Sequence, residues 1–363
     1  MKVWMGLIMA FCFAMLIAAC VSDDTELRPM TRFVLEHDGL EREYFVFLPS
    51  SYDGKKEHPV AIFLHGYGGT ATGTEAEVTQ GLNSYAEKFG YIMIYPQSTW
   101  FMAGDSPDNQ WEATSWNHIS DGIDKGPDGP ICREDAAQYA CPPECGNCGK
   151  CGWASCNDDV GFLKSLVATV STDFEIDESS FFVTGFSNGA MMTHRIACDA
   201  SDLFAAAALV GGRVEPGFEC TPTRALPLLQ INGGNDKTVP HDGKASQSGY
   251  FFASTTSVTE HWASSDSCAA EGQGWLSPTI EGENVQCTIA CGDTDHPVID
   301  CIWPDGNHRW PGTSGFRGSN GYCVSELQSA SMPEQTICIA PDPKAEFWGS
   351  ELVFEFFDEH RGN

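Results

Sequence analysis

The chain has 363 residues, with 20 lysines and arginines against 50 aspartates and glutamates, a formal net charge of −30. This acid surplus argues against nucleic acid as a partner, because that binding depends on cationic neutralisation of phosphates. The length suits one catalytic domain with loop insertions, and no internal repeat or long low-complexity linker divides it.

In chain order, Lys2 precedes an apolar run over 3–18 that ends in Ile17-Ala18-Ala19-Cys20. A positive start, a short apolar core and small residues at its end read as an export signal rather than a spanning helix. The small residues before a cysteine resemble a bacterial lipobox, which would make Cys20 the lipidated first residue; cleavage near Ala19 with a freely secreted product is the alternative. Residues 1–19 are thus expected to be a signal, 20–30 a polar tether, and 31–363 a catalytic domain with inserts at about 100–156 and 312–344. Val21 after the cysteine points to the outer membrane or cell surface. Strands are expected over 44–48 and 60–64, a helix over 75–89, a strand over 91–95 and a helix over 159–170. A strand over 181–184 then leads into a helix over 190–198. Strands at 205–210 and 227–231, a helix near 257–263, a strand at 298–303 and a helix over 345–360 complete the pattern. Helices alternating with short apolar runs imply a mostly parallel sheet covered on both faces, with ligands outside the carboxyl ends of its strands.

Gly185-Phe186-Ser187-Asn188-Gly189 lies between the strand over 181–184 and the helix over 190–198. Strand, sharp turn and helix are the setting of a G-x-S-x-G nucleophile elbow, in which glycines leave room for a strained serine. The partners of such a serine follow in the order acid, then histidine, after later strands. Asp236 follows the strand at 227–231 and His308 the strand at 298–303, with Asp242, Asp305, His241 and His296 as the nearest rivals. Acyl transfer also needs donors for an oxyanion. The backbone N–H groups of Asn188, just after the serine, and of Tyr67, in His65-Gly66-Tyr67-Gly68-Gly69, are the candidates. His65 reads as a hydrogen-bonding residue beneath the site.

Sixteen cysteines, less Cys12 and Cys20 of the leader, leave fourteen, an even number that fits disulfides in an oxidising compartment. Cys141, Cys145, Cys148 and Cys151 have metal-like spacing, but in an exported chain a disulfide knot with Cys132 and Cys156 is favoured. Cys198 with Cys220 and Cys323 with Cys338 are the other candidate pairs. Among the tryptophans, Trp116 and Trp310 lie in loops where an aromatic ring could stack on substrate.

Five segments in this order resemble the polyhydroxybutyrate depolymerase-like esterases, a group that includes feruloyl and acetylxylan esterases of the carbohydrate esterase family 1 type. They are Leu64-His65-Gly66-Tyr67-Gly68-Gly69, Asp158-Asp159-Val160-Gly161-Phe162, Gly185 to Met192, Asp236-Lys237-Thr238-Val239-Pro240 and Gly306-Asn307-His308-Arg309-Trp310-Pro311-Gly312. The resemblance implies an α/β-hydrolase fold, extracellular ester hydrolysis through Ser187, Asp236 and His308, and no metal or organic cofactor. Expected substrates are feruloyl or acetyl esters of polysaccharide, with a polyhydroxyalkanoate or related polyester as the alternative. The cysteine-rich insert and the insert after Gly312 depart from the family pattern beside the expected cleft. A monomer is expected, attached to membrane only through Cys20. A non-catalytic binding protein on a hydrolase scaffold, and a peptidase or acyl transferase using the same triad, are the readings from other classes.

Overall fold

The computed structural model describes residues 29–73, 81–103, 111–119, 125–146, 148–219, 222–311 and 348–362. The signal, the tether with Cys20, and the late insert with Cys323 and Cys338 lie outside these residues, as does Cys220.

The strands are β1 (Thr31–His37), β2 (Leu40–Phe47), β3 (His58–Leu64), β4 (Ile92–Pro96), β5 (Thr99–Ala103), β6 (Trp111–Ser115), β7 (Lys125–Gly126), β8 (Gly129–Pro130), β9 (Ile176–Phe186), β10 (Ala206–Val210), β11 (Leu228–Gly233), β12 (Gln273–Trp275), β13 (Gln286–Ala290) and β14 (Val298–Trp303). The helices are α1 (Leu82–Phe89), α2 (Asp159–Asp173), α3 (Asn188–Asp199), α4 (Thr255–Ser265) and α5 (Trp348–Asp358). Ten strands form one sheet in the order β1-β2-β4-β3-β9-β10-β11-β14-β13-β12. The six from β4 to β14 run parallel, and antiparallel strands extend the sheet at both sides.

Successive residues of a strand point to opposite faces, and both faces of the central strands are apolar. Val60, Ile62 and Leu64 of β3 pack on one side with Phe162 and Leu166 of α2, Met192 and Ile196 of α3 and Trp262 of α4. Ala61 and Phe63 pack on the other with Leu82 and Ala86 of α1 and Leu352, Phe354 and Phe357 of α5. Every residue of β3, β4, β10 and β11 is buried, as a parallel sheet covered on both faces requires. This is the α/β-hydrolase fold.

Of the helix expected over 75–89, residues 82–89 form α1, preceded by Gly81 in a left-handed conformation at φ 64°, and residues 75–80 lie outside the described residues. The cysteine-rich insert is closed by Cys132–Cys151, Cys141–Cys148 and Cys145–Cys156, so its six cysteines pair only among themselves. Cys268–Cys291 and Cys287–Cys301 brace the β13–β14 side. Cys198 is also disulfide-bonded.

Candidate active site

Ser187 follows β9 directly and caps the N-terminus of α3 with φ 55° and ψ −120°, a conformation that costs a non-glycine residue and persists only when its surroundings enforce it. Its N–H donates to the Val210 carbonyl of β10 at 3.0 Å, and its carbonyl accepts from the Met191 N–H at 3.0 Å. The flanking glycines supply space rather than unusual dihedrals. A Cβ on Gly189 would lie 1.9 Å from the Leu64 carbonyl oxygen, and one on Gly185 would lie 2.5 Å from the Gly189 carbonyl carbon. The elbow can press against the end of β3 only with both side chains absent.

His308 Nε2 is 2.9 Å from Ser187 Oγ, and its Nδ1 is 2.7 Å from Asp236 Oδ2. The other Asp236 oxygen accepts from the N–H groups of Thr238 and Val239 at 2.8 and 2.9 Å, so the carboxylate is held at both oxygens. Its side chain is 1% exposed and that of His308 20%. Acid and histidine meet because β11 and β14 are parallel neighbours whose following loops are tied together. The N–H groups of Gly234 and Asn235 donate to the Trp303 and Gly306 carbonyls at 2.7 and 2.8 Å. Beneath, buried Arg213 donates to Asn232 Oδ1 and to the Val239 and Pro240 carbonyls, clamping the acid loop. Burial lowers its pKa to about 10, which leaves it cationic at neutral pH. The rival acids bond elsewhere: Asp242 pairs with Lys244 and Asp305 accepts from Asn284. Of the rival histidines, His296 pairs with Asp266.

Asn188 opens α3, where first-turn N–H groups have no partner inside the helix. Its side chain is fixed from below, with Oδ1 accepting the Trp116 N–H at 2.7 Å and Nδ2 lying 3.1 Å from His118 Nδ1. His118 Nε2 in turn meets fully buried Glu215 at 3.1 Å. Asp159 accepts from the Asn117 N–H at 2.6 Å and pairs with buried Arg42 at 2.7 Å, which anchors the 116–118 segment under the elbow. The Gly66-Tyr67 turn comes next to Ser187, since a Cβ on Gly66 would be 3.3 Å from Ser187 Cβ. The following N–H groups are used within this region, Gly68 donating to Thr114 and Gly69 to Gly66.

The Tyr67 hydroxyl donates to the Ala140 carbonyl of the disulfide-bonded insert at 2.9 Å, and its ring meets those of Phe101, Tyr139 and Trp153. Tyr139, 38% exposed, is an aromatic residue beside the site that the sequence did not single out. The insert also pairs with the segment after the acid loop, since the N–H groups of Arg133 and Ala137 donate to Gly249 and Ser248.

Two expected substrate-stacking rings are corrected. Trp116 is 0% exposed and donates its indole N–H to the His65 carbonyl; Trp310 is 2% exposed and donates to Ser350 Oγ. Both face into the packing because each buried indole N–H has an acceptor there. The buried pair His118–Glu215 and the Arg213 clamp went unforeseen. Their members lie far apart in sequence, so no local pattern marks them.

His65 is fully buried, with Nε2 accepting the Ser98 N–H at 3.2 Å, and desolvation lowers its pKa to about 4. Desolvation also lowers that of His194 to about 3. Both fold as neutral rings, whereas the unfolded chain takes up protons near pH 6.5. Their contribution to stability is therefore complete above pH 6.5 and falls as the pH drops towards 4, by about 1.4 kcal/mol per pH unit for each. Urea unfolding at pH 7, 6 and 5 should show this decline, and replacing His194 with a well-packed apolar residue should reduce its slope. An unchanged slope would refute the assignment.

A serine, a histidine and a buried carboxylate in hydrogen-bonded series on an α/β-hydrolase fold are what fold and site together show. In sequence the chain is a relative of feruloyl esterases. It is 26% identical over 218 residues to the probable feruloyl esterase C of Aspergillus flavus, covering 59% of this chain and 62% of that protein. It is 34% identical over 93 residues to feruloyl esterase C of Emericella nidulans, covering 25% and 34%, and 27% identical over 122 residues to feruloyl esterase B of Piromyces equi, covering 31% and 23%. The chain thus spans less than two thirds of the length of each of these relatives. No family model matches it. Among solved structures, an acetyl xylan esterase from Aspergillus awamori aligns at 15% identity with a TM-score of 0.49, over 77% of this chain and 94% of that one.

Proposed function

We propose that the protein is a serine carboxylic-ester hydrolase acting on feruloyl or acetyl esters of polysaccharide. The observation that carries this reading is a serine held at φ 55°, 2.9 Å from a histidine whose other nitrogen is 2.7 Å from a buried carboxylate. In this mechanism Ser187 attacks the ester carbonyl carbon while His308 takes its proton. Asp236 keeps His308 in the tautomer with a proton on Nδ1 and stabilises the imidazolium. The N–H groups of Asn188 and Tyr67 receive the developing oxyanion. The carbon–oxygen bond to the alcohol then breaks, His308 protonates the departing oxygen, and water activated by His308 releases the acid from Ser187. No step requires a metal or redox partner. The names of the relatives and the aromatic wall around Tyr67 support an aromatic or acetyl acyl group. Purified protein should hydrolyse methyl ferulate or acetylated xylan faster than polyhydroxybutyrate. Turnover of the polyester alone would move the reading to a depolymerase, and activity on none would leave a binding protein on a hydrolase scaffold.

The disulfides among the described residues belong to an oxidising compartment, which fits an exported protein. Among the described residues no helix is long and apolar enough to cross a membrane. Anchoring through a lipidated Cys20 is part of the proposal and rests on the sequence of residues 17–20. Mass spectrometry of the mature protein should find a diacylglyceryl group on Cys20, and Cys20→Ser should release the enzyme from membranes. An unmodified N-terminus at or after Cys20 would remove the anchor.

A further inference from the structure

Trp153, in the cysteine-rich insert, stands between the supports of the two residues assigned to the oxyanion. Its indole meets the Tyr67 ring edge to face, with centroids 5.5 Å apart at 82°, and lies 4.9 Å from the ring of His118. We infer that Trp153 is a positioning residue for both oxyanion donors, and that the disulfide-knotted insert is the brace that keeps it in place. The inference rests on the proposed esterase mechanism and deepens it.

On one side the contact acts directly on Tyr67, whose N–H is one donor. The insert grips this side chain by its ring, through Trp153 and Tyr139, and by its tip, where the hydroxyl donates to the Ala140 carbonyl at 2.9 Å. On the other side the contact reaches Asn188 through His118. Asn188 Oδ1 is taken by the Trp116 N–H, so Nδ2 is the atom that faces His118 Nδ1 at 3.1 Å, and the histidine must accept there. The ring proton then sits on Nε2, with the Glu215 oxygens at 3.1 and 3.2 Å. A histidine held at both nitrogens keeps one freedom, to tilt about the line joining them. The Trp153 indole packed against the ring opposes that tilt.

Trp153 is itself well anchored. Cys151 before it is bonded to Cys132, and Cys156 after it to Cys145, so its segment is crosslinked at both ends. It is 7% exposed and shares one apolar cluster with Cys132, Cys151, Met191 and Val239, against which Tyr67 packs. Met191 belongs to the first turn of α3, directly after the nucleophile, and Val239 supplies one of the N–H groups that hold Asp236. Through this cluster the insert reaches the elbow, the acid loop and the oxyanion turn together. Such bracing matters because oxyanion donors act only when aimed in advance at the position where charge develops.

The test uses the whole protein and whichever of methyl ferulate and acetylated xylan it cleaves faster. Trp153→Ala should lower kcat about 10²-fold, the scale of a donor displaced by about 1 Å, and leave KM within about threefold, because the oxyanion contact is made in the transition state. Affinity for a trifluoromethyl ketone analogue of the same ester, which mimics the tetrahedral intermediate, should fall by about the same factor. Trp153→Phe should recover most of both losses, since a phenyl ring fills much of the same space. Truncating a buried tryptophan also costs stability, so kcat is counted per active site titrated to completion with a fluorophosphonate. Tyr67→Phe keeps the ring and the N–H but removes the tie to Ala140, and it should show the same pattern at about tenfold. Losses of kcat per titrated site below about threefold in both alanine and phenylalanine variants, Trp153→Ala and Tyr67→Phe, would overturn the positioning role and leave the esterase reading intact. So would a loss of kcat with the ketone affinity unchanged. A wild type that cleaves neither ester would instead overturn the esterase reading, and this inference with it.

Discussion

Replacing Ser187 with alanine should reduce ester turnover by about 10⁶-fold, the loss seen when the nucleophile of a serine triad is removed. The change removes one hydroxyl whose hydrogen-bond partner is His308 Nε2, so the fold and its thermal transition should persist. His308→Ala should cost about as much, because a hydroxyl without its base is a weak nucleophile at neutral pH. The double variant should lose less than a further factor of about ten, since members of one catalytic unit are strongly non-additive. A fluorophosphonate probe should label Ser187 and no other serine. If Ser187→Ala kept more than about 1% of turnover, or if the probe marked a different serine, the nucleophile would have to be sought elsewhere, whatever the fold.

The central sheet and the three site residues were legible in the sequence for one physical reason. A parallel strand covered on both faces is apolar at most positions, so β3, β10, β11 and β14 stand out as short apolar runs, interrupted in β11 by Gln230 and Asn232 and in β14 by Asp300, and the acid and histidine loops follow two of them. Of the flanking strands, β2 was legible over 44–48, but β1 and β13 gave no such signal. β1 has exposed residues at alternate positions and β13 mixes Gln286, Cys287 and Thr288, a pattern shared with many loops. The hairpin of β5 and β6 is half polar and was absorbed into the insert. Trp116 and Trp310 show a different limit, because the direction of a side chain in a motif loop depends on where its N–H finds an acceptor. Here the acceptors are His65 and Ser350, 51 and 40 residues away in sequence.

The buried polar residues around the site explain why the legible motifs are longer than the chemistry demands. Asp158 caps α2 by accepting the Gly161 N–H at 2.9 Å, while Asp159 turns inward to Arg42 and Asn117. The motif at 158–162 therefore serves the site at one remove, by holding the segment whose backbone fixes Asn188. Buried ionic groups of this kind contribute little net stability unless fully paired. Their paired state in this chain favours one fixed arrangement of the elbow over looser ones.

Asp236→Asn should leave the fold intact and lower turnover by about 10⁴-fold, the loss found when the triad carboxylate becomes an amide. The asparagine has nearly the shape of the aspartate, and its carbonyl oxygen can keep the N–H groups of Thr238 and Val239. Its amide nitrogen then faces His308 Nδ1 and can only donate to it. That forces Nδ1 to accept and places the ring proton on Nε2, where it blocks removal of the Ser187 proton. The same loss could not arise from the neighbouring acids, because Asp242 is tied to Lys244 and Asp305 to Asn284. Asp242→Asn and Asp305→Asn should therefore stay within about threefold of wild-type turnover, the spread expected of exposed sites away from the chemistry. A near-silent Asp236→Asn alongside a dead Asp242→Asn or Asp305→Asn would reassign the acid and require the acid loop to rearrange before catalysis.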